Sequence, residues 1–561
     1  MPTAVAATPE LTHARKMAVM GAVLLGLFLA ALDQTIVGTA MPRILTDLHG
    51  NDLYTWVVTA YLLASTITVP IYGKFSDTFG RKPMLMIGIG LFLLGSALSG
   101  LSQNVAELIT FRALQGLGAG ALFPIALAVI GDLFTPRERG KYQGLFGATF
   151  GISFILGPFL GGFLTDNLSW HWVFYVNLPI GLVAMAVIAL VLPNVKRDAG
   201  AVRRLDYAGV VLFTAGVVPL LLGLTNKGLT DTQGNTNDWL SWSVGGLLVI
   251  AVVVLAVFVI NESRAAEPIL PLDLFRNRTY WGTMAATFLT AFSMFATIIF
   301  VPRYYQAVEG YSATKSGYMV WPLLVGLLGS SIGTGILISR IGSYKKIIVV
   351  SSFLLVVGSV LMTQLQLSTT NTVLWLWLLV VGLGVGPSMS AFTTVVQNLV
   401  TGARMGAATS TLTFLRQIGG SVGLAFAGTL FSSNFRSELP GRLAANGVPT
   451  RLGGRAFNGG SSNELTAVGN LGGSLRGHGV PETLVPRIVT GVREAFVLSV
   501  AHIFWLGVIS SAFAFLIVLL VIRDVPLRGS PARVTEDREV PSPRQAAPLP
   551  VPAGVGAGAT S

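Results

Sequence analysis

The sequence predicts an all-α membrane protein: two bundles of six helices with two further helices inserted between them, fourteen crossings in all. Three observations carry this. Of 561 residues, 52% are hydrophobic and only 11% charged, whereas a soluble domain has about 25% charged residues and a surface that grows with the chain and must be wetted. The charge-poor runs match the roughly 20 residues that span a bilayer as a helix. Short motifs of the first half recur, in the same order, in the second. Cysteine is absent, which excludes disulfides, thiolate chemistry and Cys-based metal sites. The net charge of +12 lies in short loops between apolar runs, a mark of membrane topology, so no nucleic-acid partner is expected.

Taken in order, residues 1–16 form a cytoplasmic N-terminal segment. "THARKMAVMGAVLLGLFLAALD" has the basic-then-apolar pattern of a signal peptide, but its apolar part is long and many spans follow, so it reads as an uncleaved first helix. The first bundle, 17–195, has helices at about 17–40, 53–72, 84–103, 107–131, 142–165 and 171–192. Helix one carries Asp33 in "LDQTIVGTAMP" (32–42), with Gln34 beside it. Between helices two and three stands "GKFSDTFGRKP" (73–83), with Gly73, Asp77, Gly80, Arg81 and Lys82. Helix four holds "RALQGLGAG" (112–120), with Arg112 and Gln115, and helix five holds "GPFLGG" (157–162), with Gly157, Pro158, Gly161 and Gly162. Trp170 and His171 at the end of helix five read as interface anchors. The inserted pair, 196–265, spans 207–225 and 240–260.

The second bundle, 266–525, has helices at about 280–302, 316–338, 346–364, 372–398, 405–431 and 495–522. Ile347 to Ala403 contains no charge and is split at its one polar cluster, "QLQLSTTN". "GILISRIGSYKK" (335–346) repeats the glycine spacing of the hinge, with Ser339 in the place of Asp77. "GLGVGPSMS" on helix twelve and "GGSVG" on helix thirteen answer the motifs of helices four and five. The segment 432–494 is Gly-rich and reads as a long, irregular extracytoplasmic loop, and the tail 526–561 as a disordered cytoplasmic one. Arg81 and Lys82; Arg137, Arg139 and Lys141; Lys196, Arg197, Arg203 and Arg204; Arg264, Arg276 and Arg278; and Arg340, Lys345 and Lys346 all fall on one side. The positive-inside rule makes that side, and both termini, cytoplasmic. Two parallel repeats that rock about a midplane cavity form an alternating-access transporter.

Four motifs in order, "LDQTIVGTAMP", "GKFSDTFGRKP", "RALQGLGAG" and "GPFLGG", resemble the major facilitator superfamily. More narrowly they resemble its fourteen-spanner drug:proton antiporters, the bacterial multidrug and antibiotic exporters. The resemblance covers roughly 15–525, and Gly38 stands where the family usually has Asn. It implies the major facilitator fold and proton-coupled export of amphipathic drugs across a bacterial cytoplasmic membrane. Its expected partners are a small-molecule substrate, protons and membrane lipids, with a monomeric chain. The resemblance also implies that the hinge motif favours the outward-facing state. No nucleotide-binding, zinc or nucleophile motif appears, so neither enzyme activity nor a cofactor is expected. Export of an endogenous lipid or secondary metabolite is the alternative. A transporter-like sensor is disfavoured by the short, low-complexity tail.

The residues themselves leave choices open. Asp33 is the one acid well inside a helix; burying it ionised costs about 2.5–3.5 kcal/mol on insertion scales, so it is expected to face a cavity or a partner. It lies about seven residues from the outer end of its helix and Arg112 about five from the end of helix four, roughly 10 and 8 Å down, so the two can meet. They make either a structural ion pair or a proton-coupling and cation-binding site in which Arg112 modulates Asp33; the resemblance favours the second. Arg416, mid-membrane on helix thirteen, either lines the cavity or anchors the interior. Gly157, Gly161 and Gly162 allow close backbone approach and Pro158 bends the helix, which the resemblance reads as a bendable, leak-tight seam between the halves. Asp77 is placed to face a helix N-terminus across the interface. Phe150, Phe154 and Trp321, with Trp56, Tyr61, Phe292, Phe295 and Phe414, fall on candidate pore helices, where each either packs or lines the cavity.

Overall fold

The computed structural model describes residues 12–48, 53–193, 206–227, 237–400, 404–448, 476 and 481–524. The tail 526–561, Lys196, Arg197, Arg203 and Arg204, and most of 449–480 lie outside the described residues. The first six principal helices are α1 (His13–Asp47), α2 (Tyr54–Phe79), α3 (Arg81–Leu101), α4 (Val105–Leu133), α5 (Pro136–Asn167) and α6 (Asn177–Val191). The inserted pair is α7 (Tyr207–Lys227) and α8 (Leu247–Glu262). The rest are α9 (Arg278–Ala307), α10 (Trp321–Ile341), α11 (Lys345–Met362), α12 (Asn371–Leu399), α13 (Met405–Ala445) and α14 (Val485–Leu520).

Among the described residues thirteen helices are long and apolar enough to cross a membrane. The expected fourteenth is α13, which has ample length but carries Thr411, Thr413, Arg416 and Gln417 between runs of small residues. Side chains end the helices where backbone donors would otherwise be orphaned. Asn104 accepts from the Glu107 amide at 2.9 Å to start α4, and Thr135 with Glu138 forms a capping box at α5. Pro70, Pro124, Pro158 and Pro387 sit inside helices, as membrane helices tolerate when their neighbours re-satisfy the backbone. Outward faces are apolar. On α8 Val249, Val252, Val253 and Val257 are exposed, which suits contact with lipid.

The two halves repeat at the level of backbone packing. On α4, Gly116 and Gly120 lie against Tyr61 and Ser65 of α2, and Gly118 lies against Phe92 of α3. On α12, Gly382 and Gly386 lie against Leu323 and Leu327 of α10, and Gly384 lies against Leu355 of α11. The same glycine spacing builds the same three-helix contact twice, because only a residue without Cβ lets backbones approach so closely. The inserted α7 packs its Phe213 against Phe258 of α8 and Phe414 of α13, at ring distances of 5.4 and 5.1 Å. Ile67 and Val69 of α2 join this cluster, so the pair lies against an element of each half.

Three expectations change. The loop 432–494 is shorter than its sequence suggests: α13 runs on to Ala445 and α14 begins at Val485. Leu439 and Leu443 pack with Val485 and Ile488, and Arg442 pairs with Glu438 one turn away at 3.5 Å; Gly and Arg richness masked this amphipathic extension. Trp170 is buried, not an interface anchor, since it stacks on His171 at 3.8 Å and meets Phe174 edge-on. Gly157 and Gly161 do not form a seam between the halves. They face Thr35, Ile36 and Thr39 of α1 in their own half, and Gly162 meets nothing within 4 Å. The contact of α5 with the second half is made instead by Gly140, Gly144, Gly147 and Gly151 against Gly335, Ile332, Ser331 and Leu328 of α10.

Candidate functional site

Two polar constellations stand out in this apolar body. The first is sealed inside the first bundle. Asp33 of α1 and Arg112 of α4 meet at 2.5 Å (Nη1 to Oδ2), with side-chain exposures of 0% and 2%. Gln115, one turn further along α4, donates through Nε2 to Asp33 Oδ1 at 2.8 Å and accepts from Arg112 Nη1 at 2.8 Å. Asn177, the first residue of α6, donates to the same Oδ1 at 3.2 Å and to Ser96 Oγ of α3 at 3.0 Å. The guanidinium of Arg112 lies 4.2 Å from the ring centroid of Tyr61 on α2, a cation–π contact. Five helices thus converge on one carboxylate.

Asp33 therefore does not line an open cavity in this conformation. Its charge is matched by Arg112, and hydrogen bonds spread it over Gln115 and Asn177, the condition under which a buried pair is tolerated. Arg112 Nε and Asn177 Oδ1 are buried without a partner among the described residues, so the network is not saturated. Asn177 and Ser96 were not singled out from sequence. The signal for Asn177 is present, an amide inside the apolar run "VFYVNLPIGLV".

The second constellation is the hinge. Asp77 near the end of α2 accepts from the backbone amides of Gly406 and Ala407, through Oδ1 at 3.0 Å and Oδ2 at 2.8 Å. Those amides open α13, in the other half, where the orphan donors and the positive end of the helix dipole favour an anion. Arg81 Nη1 pairs with Asp77 Oδ1 at 2.7 Å, and Arg81 Nε pairs with Asp132 Oδ2 of α4 at 2.9 Å. Asp132 was not anticipated. Gly80 links α2 to α3 at φ +100°, a backbone region that side chains rarely adopt. Gly73 packs on Ser410 and Gly406 of α13. Lys82 donates to the Ala189 carbonyl at 2.5 Å and Lys74 pairs with Glu267 at 2.6 Å. A third inter-half link lies near this end. Gln143 of α5 donates to Gln397 of α12 at 2.7 Å, and Thr394 donates to Gln143 at 2.7 Å. The end of the molecule that bears the basic loops is thus closed across the halves.

The remaining candidates separate. Arg416 sits between the halves, its guanidinium 6.0 Å from the ring centroid of Phe123 on α4. Phe150 is partly buried and meets Phe123 edge-on at 5.7 Å. Phe154 is partly buried on the same helix, and Gln34 is exposed on α1. Trp321 stands apart at the start of α10, exposed and edge-on to Tyr318. Phe414 is committed to packing against α7, and Phe292 and Phe295 back the glycines Gly423 and Gly420 of α13.

Comparison with known proteins agrees with this architecture. The family model "Major Facilitator Superfamily" matches residues 23–424. The chain is 38% identical over 420 residues to "Multidrug transporter protein MdtP" of Bacillus subtilis, covering 75% of this chain and 76% of that one. It is 31% identical over 504 residues to an "Acurin A biosynthesis cluster MFS-type transporter" of Aspergillus aculeatus, covering 88% of this chain and 87% of that one. Among solved structures, the human organic anion transporter MFSD10 aligns with a TM-score of 0.57 at 15% identity, covering 90% of this chain and 99% of that one, a likeness of fold alone. The two glycine-matched bundles, the span count and the family match lead to one conclusion: the chain is a multi-pass membrane protein of the Major Facilitator Superfamily.

Proposed function

We propose that this transporter exports amphipathic small molecules from the cell in exchange for protons, by alternating access, with Asp33 as the proton carrier and Arg112 as its internal counter-ion. The observation that carries the reading is the enclosure of Asp33 by Arg112, Gln115 and Asn177. The ion pair with Arg112 is one that only a charged carboxylate can make. Protonation cancels its charge and leaves Arg112 unneutralised, so the pair must rearrange. An arrangement that depends on the proton gives a proton gradient purchase on conformation. Asp77 supplies the second part, since its bonds to the amides of α13 belong to the closed basic end, and Arg81 pairs with Asp77 from its own half. The relative MdtP, described as a multidrug transporter, supports drugs as the cargo.

A second reading, export of a secondary metabolite, is favoured by the transporter of the acurin A biosynthesis cluster. Expression in a host stripped of its own pumps, followed by a panel of lipophilic antibiotics and dyes, tests the first. Raised resistance with energy-dependent loss of dye is expected. Unchanged susceptibility to every compound, with the protein present in the membrane, points to the second.

A further inference from the structure

Arg416 is the charge that the proton-carrier site and the hinge leave unexplained. It lies eleven residues beyond Met405, the first residue of α13, so roughly 16 Å inward along the helix. Among the described residues it makes no ion pair or hydrogen bond, and its Nη2 is buried without a partner. Its neighbour Gln417 also has a buried Oε1 without a partner. The contrast with the other interior arginines is sharp: Arg81 holds two carboxylates, and Arg112 holds Asp33 and Gln115. A guanidinium cannot shed its charge, and an interior charge with no counter-ion is expensive to keep. Asp33 is not available to it. Arg112 and Phe123 are eleven residues apart on α4, roughly 16 Å, and both oxygens of Asp33 are already engaged. What does stand beside Arg416 is aromatic: Phe123, with Phe146 and Phe150 edge-on to it at 5.9 and 5.7 Å.

We infer that Arg416 is an anion-recognition site between the halves, which takes the carboxylate or a similar acidic group of a lipophilic substrate while Phe123 and Phe150 receive its rings. The guanidinium fork matches a carboxylate, and the apolar wall beside it favours an aromatic body. The inference rests on the export reading and sharpens it: the preferred cargo is acidic or zwitterionic rather than cationic.

The test uses the full chain in lipid nanodiscs, with 1-pyrenebutyrate and its uncharged methyl ester as matched probes and empty nanodiscs as the partition control. Wild type is expected to bind the acid at least tenfold more tightly than the ester. Arg416→Gln should bring that ratio to about one, and Arg416→Lys should keep an intermediate preference. A wild type that binds the ester as tightly as the acid, or neither probe, overturns the inference. So does an Arg416→Gln protein with wild-type melting temperature and an unchanged ratio. If Arg416→Gln does not fold, the wild-type ratio and Arg416→Lys decide. Resistance conferred by the wild-type chain is scored separately in the pump-deficient host, so a wild type that confers resistance but shows no acid preference removes this inference and leaves the export reading standing.

Discussion

Asp77→Asn should open the basic end of the molecule. The substitution keeps the shape of the side chain but removes its charge. Asp77 accepts from two amides of α13 and pairs with Arg81 at 2.7 Å. Asn offers a single carbonyl acceptor and places an NH₂ against the other donor. Breaking a buried pair by removing one partner costs about 3–5 kcal/mol. Here Arg81 keeps Asp132, whose side chain is 28% exposed, and all three residues lie in the first half, so this part of the loss weighs on both states alike. The two amide bonds to α13 do cross the halves; a hydrogen bond to a charged group is worth about 1.5–3 kcal/mol, and Asn keeps one of the two, so the closed state loses about 2–3 kcal/mol. At about 1.4 kcal/mol per tenfold, the closed-to-open ratio falls about 30- to 150-fold. The chain has no cysteine, which makes the assay direct. Ser331 is buried against Gly147 at the α5–α10 contact, and Ser331→Cys is labelled only when that contact parts. The maleimide labelling rate of Ser331→Cys should rise more than tenfold when Asp77→Asn is added. An unchanged or lower rate would refute the idea that Asp77 holds the halves closed.

Other expectations follow from packing and charge. Gly118→Ala places a methyl against the Phe92 backbone, with its Cα at 2.9 Å, and overpacking of this kind costs about 1–3 kcal/mol. Gly162→Ala meets nothing within 4 Å, so the purified Gly118→Ala protein should melt clearly below wild type while Gly162→Ala melts with it; equal melting of all three would contradict the close-approach account. Long dications should be poor substrates, because Asp33 is already neutralised by Arg112 and Arg416 adds positive charge. Matched efflux of a monovalent dye and a divalent diamidine checks this, and comparable resistance to both would show that a further carboxylate reaches the cavity.

The fold was legible because the bilayer imposes it: long charge-free runs, basic residues on one side and glycines at matched positions leave few alternatives. That Asp33 and Arg112 can meet followed from their depth along the helices, and Asp77 was expected at a helix N-terminus of the other half; that this helix is α13 comes from the structure. Other features were hidden for physical reasons. Asp132 and Gln143 look like ordinary residues near helix ends; packing of α4 beside α3 brings the first to Arg81, and only the closed arrangement of the halves brings the second to Gln397. Gly157 and Gly161 announce close packing but not the partner, and the partner is α1 of the same half. The extension of α13 past the bilayer has no hydropathy signal because one face is charged and Gly-rich segments follow it.

In the proposed cycle Asp33 carries the proton. Its most direct test is substrate-induced proton release, followed with a trapped pH dye in proteoliposomes containing wild type or Asp33→Asn. Asn preserves the volume and a hydrogen bond to Gln115 but cannot be protonated. Wild type should release protons when substrate is added and should move substrate when a pH gradient is imposed. Asp33→Asn, with wild-type yield and melting temperature, should do neither, while Asp33→Glu should retain part of both. Proton exchange by Asp33→Asn at the wild-type rate would contradict the account and leave the Asp33–Arg112 pair a structural element of the first bundle.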